Sequence, residues 1–510
     1  MRPQSSSNIA VPETAAQGLR RDLVSQLLGQ LVEKDGVSTQ PGSGEPSVSD
    51  LVDVWFRAEL VRLNHDRKAL RAALDRQIAA IDDLLSAQVN AILHAPSFQR
   101  LEAAWRGLFS VAEAASETRD AKVRMLCVTW SEIVRDLERA ADFDQSQLFH
   151  KLYNEEFDMP GGEPFGLLVA DYAVQHRATQ DHPTDDVTAL KSLSAVAAAA
   201  FTPIILGVSP SVLQLDSFRE LGRPIDVLAV FKNAEYQRWN SMRQGEDMRF
   251  IGLALPRMLM RLPYDGHARP DGFCFREVVH EASGAGYLWG NAAFAFAGVV
   301  LRAFRNFGWL ADIRGTYRDE LRGGLVTDLP VPSFRTDRRG IALRPSTESY
   351  ISEVHEKALA ELGFVALRKV PLTEFSAFNE CQSLHNPRFD RPAATMNARL
   401  SGMLQYVLCV SRFAHFLKVI GRDAVGSVKT AEECEELLQR WLTGYCEGSD
   451  NASSEVKARY PLREGRVEVK EVPGKPGHYA CNIFLRPHFQ LDDVAAGFRL
   501  VTELAPAVPG

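Results

Sequence analysis

His176, Asp181, His182, Asp185 and Asp186 crowd the stretch HRATQDHPTDD, and imidazole beside carboxylate is a donor set that a divalent metal accepts. The same residues also suit a polar loop ahead of a helix, because Asp is favoured at a helix N-terminus. We expect the second arrangement. The pairs Glu155–Glu156 and Asp82–Asp83 read as solvated helix faces. Trp289, Phe294, Phe296 and Trp309 could line a ligand pocket, but core packing is the expected use. Cys127, Cys409 and Cys481 lie in apolar patterns and are expected to behave as small hydrophobes.

Familiar catalytic spacings do not occur. The chain has no G-x-x-x-x-G-K-[ST] phosphate loop. GAGYLWG at Gly284 places Gly290 one position too late for a dinucleotide fingerprint, and GVSPS at Gly207 lacks the closing glycine of a nucleophile elbow. Neither VHEAS nor VHEKALA supplies a second His for a zinc protease. The residues imply no cofactor and no catalytic centre.

The elements that would position such groups can be read from the chain. It has 510 residues, 45% hydrophobic and 24% charged, a length that calls for two or more domains. A net charge of -7 offers no basic field, which argues against a nucleic-acid partner. Seven scattered cysteines without a C-x-x-C pair suit a reducing, cytoplasmic setting. The start, MRPQSSSNIAVPE, has no apolar core of a secretory signal, and Leu193 to Val208 and Ala292 to Leu301 are interrupted or too short to span a bilayer, so membrane insertion is not expected.

Four regions follow. Residues 1–49 hold an amphipathic helix with Leu19, Leu23, Leu27, Leu28 and Leu31 on its apolar stripe, then a Gly/Ser/Pro tether. Residues 50–120 read as helical, with a break at Pro96. Residues 121–380 alternate buried apolar strands (KVRMLCVTW, GLLVADY, PIILGVS, RFIGLAL) with helices, the pattern of an α/β core with a partly parallel sheet. One helix is expected from about Tyr287 to Gly308 and another, TESYISEVHEKALAELG, up to Gly363. Residues 381–510 hold a long helix at about Ala394–Ile420, a helix capped by Thr430 with Glu433, and a hairpin. In that hairpin Val467 and Val469 alternate with charges, Tyr479, Cys481, Ile483 and Leu485 alternate on the returning strand, and PGKPGH supplies the turn. The fold class is therefore α/β (mixed α+β) and multi-domain, with mixed sheets flanked by helices.

Longer blocks carry a family resemblance. HAPSFQRLEAAWRGL at His94, FDQSQLFHKLYNEEFDMPGGEPFGLLVADY at Phe143, LPRMLMRLPYD at Leu255 and YLWGNAAFAFA at Tyr287 occur in order. They are followed by NPRFDRPAATMNARLSGMLQYVLCVSRFAHFLKVIGRD at Asn386 and PLREGRVEVKEVPGKPGHYACNIFLRPHFQLD at Pro461. Together they resemble the large subunit of the type VI secretion contractile sheath. The resemblance implies a structural protein that co-assembles with a small sheath subunit and further copies of itself around an inner tube protein. It implies a baseplate at the cell envelope as dock and an AAA+ unfoldase that recycles the contracted form. On that reading, Leu19, Leu23, Leu27, Leu28 and Leu31 are the candidate unfoldase handle. Val467, Val469, Tyr479, Cys481, Ile483 and Leu485 form the candidate sheath-linking hairpin. The alternatives are a baseplate or assembly factor with a sheath-like fold, and a metal-dependent hydrolase using the His176–Asp186 loop.

Overall fold

The structure is a computed structural model and describes residues 66–159, 161–266, 273–280, 283–332, 343–387, 392–424, 430–449, 451–471, 479–488 and 498–504. The chain divides into two units, Met1–Asp83 and Leu84–Gly510. The Leu-rich stripe at Leu19, Leu23, Leu27, Leu28 and Leu31 lies outside the described residues.

In the first unit the described residues belong to helix α1 (Arg67–Leu93), which runs on into the second. Ala73 is buried, whereas Leu74, Ile78 and Ile81 are exposed. The second unit begins with the rest of α1 and a turn at His94. Helix α2 (Pro96–Ser116) follows, with proline at its first position, where the missing N–H costs nothing. α2 lays its small residues Ala103, Gly107, Val111 and Ala115 against helix α5, described below. At Gly107 an added Cβ would collide with the Phe294 ring, so the helices approach closely only because glycine stands there.

Thr129 then caps helix α3 (Trp130–Arg139), with a reciprocal bond to Glu132. The segment KVRMLCV ahead of it, expected as a strand, runs without helix, turn or bend but belongs to no sheet. Trp130 is the first residue of α3 instead of the end of a strand.

The main sheet has the order β1-β2-β3-β7-β8-β6. Strands β1 (Leu168–Val174), β2 (Ile204–Val208), β3 (Ile251–Leu255) and β7 (Phe364–Lys369) are parallel, and β8 (Ser376–Phe378) and β6 (Leu325–Val326) close the sheet antiparallel. β2 and β3 are buried throughout, which is why they read as unbroken apolar runs. Helix α4 (Asp186–Ala199) covers one face through Leu190, Leu193 and Val196. Helix α5 (Ala293–Phe307) covers the other through Phe296 and Val300.

α5 starts later than expected. Trp289–Gly290 form β5, paired with β4 (Met258–Leu259), and the Asn291 side chain accepts the Ala293 N–H at 2.9 Å. Helix α6 (Glu353–Glu361) is capped by Ser352, so TESYI is not helical, and Gly363 follows at φ +81°.

The expected helix at Ala394–Ile420 is two: α7 (Pro392–Ser401) and α8 (Leu404–Ala424). Between them Leu404 donates to the Cys381 carbonyl at 2.8 Å and Gly402 accepts from Ser383 at 3.2 Å, so pairing with residues 381–383 interrupts the helical ladder. Helix α9 (Ala431–Thr443) is capped by Thr430 through the Glu433 N–H, and the short α10 (Ser454–Arg459) leads into the C-terminal sheet. That sheet has three strands, not a lone hairpin: β9 (Leu462–Glu471), β10 (Tyr479–Pro487) and β11 (Phe498–Leu504), in the order β11-β10-β9.

Candidate assembly surfaces

The C-terminal sheet carries every expected hairpin residue. Val467, Val469, Tyr479, Cys481, Ile483 and Leu485 are buried, on one face, against Phe413 and Leu417 of α8 and Leu438 and Leu442 of α9. The period of two seen in the sequence sends all six inward. Burial raises the Cys481 thiol to about 12 and keeps it protonated. The edges of this sheet differ. The outer amides of β9 are capped from α9: Val467 donates to Gln439 at 2.8 Å and Val469 to Glu435 at 2.9 Å. β10 is paired on both sides, through Ile483 with Val467 and with Leu500. The edge left for a neighbouring strand is the outer side of β11, which pairs with no further strand among the described residues.

The loop with metal-like composition is a knot of protein bonds. Asp186 is buried, and its carboxylate accepts from the Trp130 indole at 2.7 Å, the Thr184 hydroxyl at 2.7 Å and the Gln175 N–H at 2.8 Å. His182 lies 2.7 Å from the same carboxylate. His176 is turned away, stacked on Tyr236 and 2.7 Å from Glu235. Asp185 caps α4 and receives Arg238, and Asp181 is exposed. These residues therefore do not converge, and among the described residues no group of three His, Cys, Asp or Glu side chains is placed to hold a metal. Of the aromatics expected in the core, Phe294, Phe296 and Trp309 are buried, with Phe296 edge-on to Phe378 and Trp309 stacked on Phe413 at 4.0 Å, whereas Trp289 is only half-buried. Cys409 is buried, but Cys127 is exposed, contrary to expectation, because no neighbouring strand covers its segment.

Arg261 occupies a buried, charged site. Its guanidinium donates to Glu102 at 2.7 Å and to Glu277 at 3.1 Å, and it covers the Tyr264 ring at 4.4 Å. His94 lies 3.2 Å from Glu277. Burial opposes ionisation of both carboxyls, but the bonds to Arg261 prevail and hold them below the usual carboxylate range. The fork ties α2 to the loop after β4.

Two exposed features were missed by sequence reasoning. On α2, Leu101, Trp105 and Phe109 stand at four-residue spacing, 56%, 56% and 68% exposed, directly opposite the small residues packed on α5. A helix with apolar groups on both faces is normally buried on both; plotting the small and large residues of α2 separately would have revealed this. The other feature is the bare segment after α2, with Val123, Met125 and Leu126 exposed.

No helix among the described residues is long and apolar enough to cross a membrane. Residues 75–385 match the EvpB tail sheath N-terminal domain, and residues 393–504 match the EvpB tail sheath gpW/gp25-like domain. The chain is 40% identical over 440 residues to a Pseudomonas aeruginosa protein named type VI secretion system sheath protein TssC1, covering 85% of this chain and 86% of that one.

Proposed function

The chain belongs to the EvpB tail sheath family and is a large subunit of the type VI secretion contractile sheath; from that premise we propose how it works. Membership implies co-assembly with a small sheath subunit and with itself. The finer reading is that the resulting tube surrounds an inner tube protein and stands, in the cytoplasm, on a baseplate at the envelope. It contracts once in one direction and is then dismantled by an AAA+ unfoldase. The observation that carries this is the tandem match of two sheath domains, in family order, over residues 75–385 and 393–504.

A contractile tube needs two packings of the same subunits, the extended one trapped above the contracted one. The free energy of the stroke is stored in the lattice during assembly, so the subunit needs no catalytic centre and no cofactor. Links between subunits must survive rotation of their cores. Strand addition suits this, because backbone bonds move with the strands that make them. The C-terminal sheet bearing Val467, Val469, Tyr479, Cys481, Ile483 and Leu485 is the proposed link, with β11 as the strand on offer. The Leu19–Leu31 stripe is the proposed unfoldase handle.

Co-expression with the small sheath subunit, followed by electron microscopy, tests the reading. Hollow cylinders are expected, and discrete small particles alone would overturn it. Replacing Leu23 and Leu27 by Asp tests the handle. Assembly should persist while disassembly by the unfoldase stops; unchanged disassembly removes the handle from the scheme.

A further inference from the structure

Residues 122–128 have the composition of a strand and run without helix, turn or bend, but lie in no sheet. Among the described residues none of their backbone N–H groups donates to another group, and the single bond on their backbone is from the Tyr172 hydroxyl to the Val128 carbonyl at 2.5 Å. The segment is nevertheless held. Lys122 and Arg124 are bonded to Glu163 and Glu156, Arg124 covers the Phe165 ring, and Thr129 fixes the far end as the cap of α3. Val123, Met125 and Leu126 are 40%, 52% and 54% exposed, and Cys127 is exposed as well. A stretch with its ends anchored, its amides met by none of the described residues and its apolar side chains in solvent is an edge already ordered for a strand to be added.

We infer that residues 122–128 are the docking edge for one extended strand of the small sheath subunit. This rests on the sheath reading and assigns a site within it. An added strand would meet the outward amides together, whereas side chains such as Gln439 and Glu435 on β9 meet one amide each. A second copy using the same segment would pair about a twofold axis, with the two copies facing opposite ways. Subunits of a tube that fires in one direction all face the same way. The β9 edge of a second copy is closed by Gln439 and Glu435, and its β11 edge is already taken up by the sheet-to-sheet link proposed above. The other component of the family's assembly is the small subunit. The chain leading into the segment supports the same choice, because α2 turns Leu101, Trp105 and Phe109 outward and so widens the apolar surface one folded partner could cover.

The test uses the full chain, alone and with the full-length small subunit. Hydrogen exchange should be fast at amides 122–128 in the free chain and slowed at least ten-fold at alternate residues in the complex. Met125→Pro removes one amide from the ladder and should cut co-purification of the small subunit at least ten-fold. Met125→Asp, which keeps the amide, should cut it less. If Met125→Pro lowers the melting temperature of the free chain, the exchange measurement on the natural chain decides. A photo-crosslinker at position 127 should capture the small subunit. Capture of a second copy, or of residues 1–65 of the same chain, overturns the inference. Cylinders whose 122–128 amides exchange as fast as in the free chain overturn it and leave the sheath reading intact. Absence of any complex overturns both.

Discussion

Residues 122–128 and strand β9 both mix charged with apolar residues, each adjoins a helix, and their fates are opposite. Lys122 to Met125 alternate and then pass into the apolar run Met125–Val128, whereas Arg466 to Lys470 alternate throughout. β9 gains β10 on one side, and on the other its Val467 and Val469 amides meet Gln439 and Glu435. The earlier segment is held at its ends by Lys122, Arg124 and Thr129, and nothing among the described residues meets its amides. The difference lies in the neighbours. α9 runs alongside β9 and presents an amide and a carboxylate at the right spacing, whereas α2 and α3 lead away from 122–128. Among the described residues, one edge has been closed by its own chain and the other has not. An edge capped by side chains is protected against unwanted strand pairing, and an uncapped one is permitted to pair.

Substitutions of equal chemistry should separate the two regions. The largest effect is expected at Ile483→Asp, which buries a carboxylate in the closed sheet without a partner and should cost about 4 kcal/mol or more in denaturant unfolding. A cost under about 1 kcal/mol would mean that the sheet is not sealed. Acid should act next, through two buried histidines outside that sheet. Burial lowers the His385 imidazole to about 4 and that of His415, on α8, to about 3. Both are neutral in the fold but take a proton when unfolded, below about 6.5. The unfolded state then binds more protons, so stability should fall as pH drops from about 6.5 towards 4 and stay level above 7. Equal denaturant midpoints at pH 7.5 and 5 would contradict this. Gln439→Ala should follow, leaving the Val467 amide unmet for about 1–3 kcal/mol. It should also increase self-association, read by light scattering, because it reopens the β9 edge. The smallest effect is expected at Leu126→Asp, within about 0.5 kcal/mol of the natural chain, since that side chain already stands in solvent. A large loss there would show that the segment is covered within its own chain.

Much of the fold could be read from local pattern. β2 and β3 appear in the sequence as apolar runs because the sheet is covered on both faces there, whereas β1, at the sheet edge, exposes Asp171 and Ala173 and is not the buried strand expected. α3 and α9 announce themselves through Thr129 and Thr430. What escaped depended on distant partners. The helix at Ala394–Ile420 is divided because Cys381 and Ser383, far away in sequence, take the bonds at Gly402–Leu404. The N-terminus of α5 is set by Asn291 and by pairing of β5 with β4. β11 was not anticipated, and the bare segment was identified as a strand with no way to tell that its own chain would leave it unpaired. The six hairpin residues were placed correctly on one face, yet which edge remains open depends on Glu435 and Gln439, whose direction the alternation alone does not reveal.

The Arg261 fork has a mechanical side. α2, with its outward Leu101, Trp105 and Phe109, is bolted to the loop after β4 by Arg261 between Glu102 and Glu277. Inside the protein these charge-assisted bonds are strong and little screened by salt. Tension applied to α2 would therefore pass through Arg261 to the loop after β4, so that the helix acts as a lever arm on that loop.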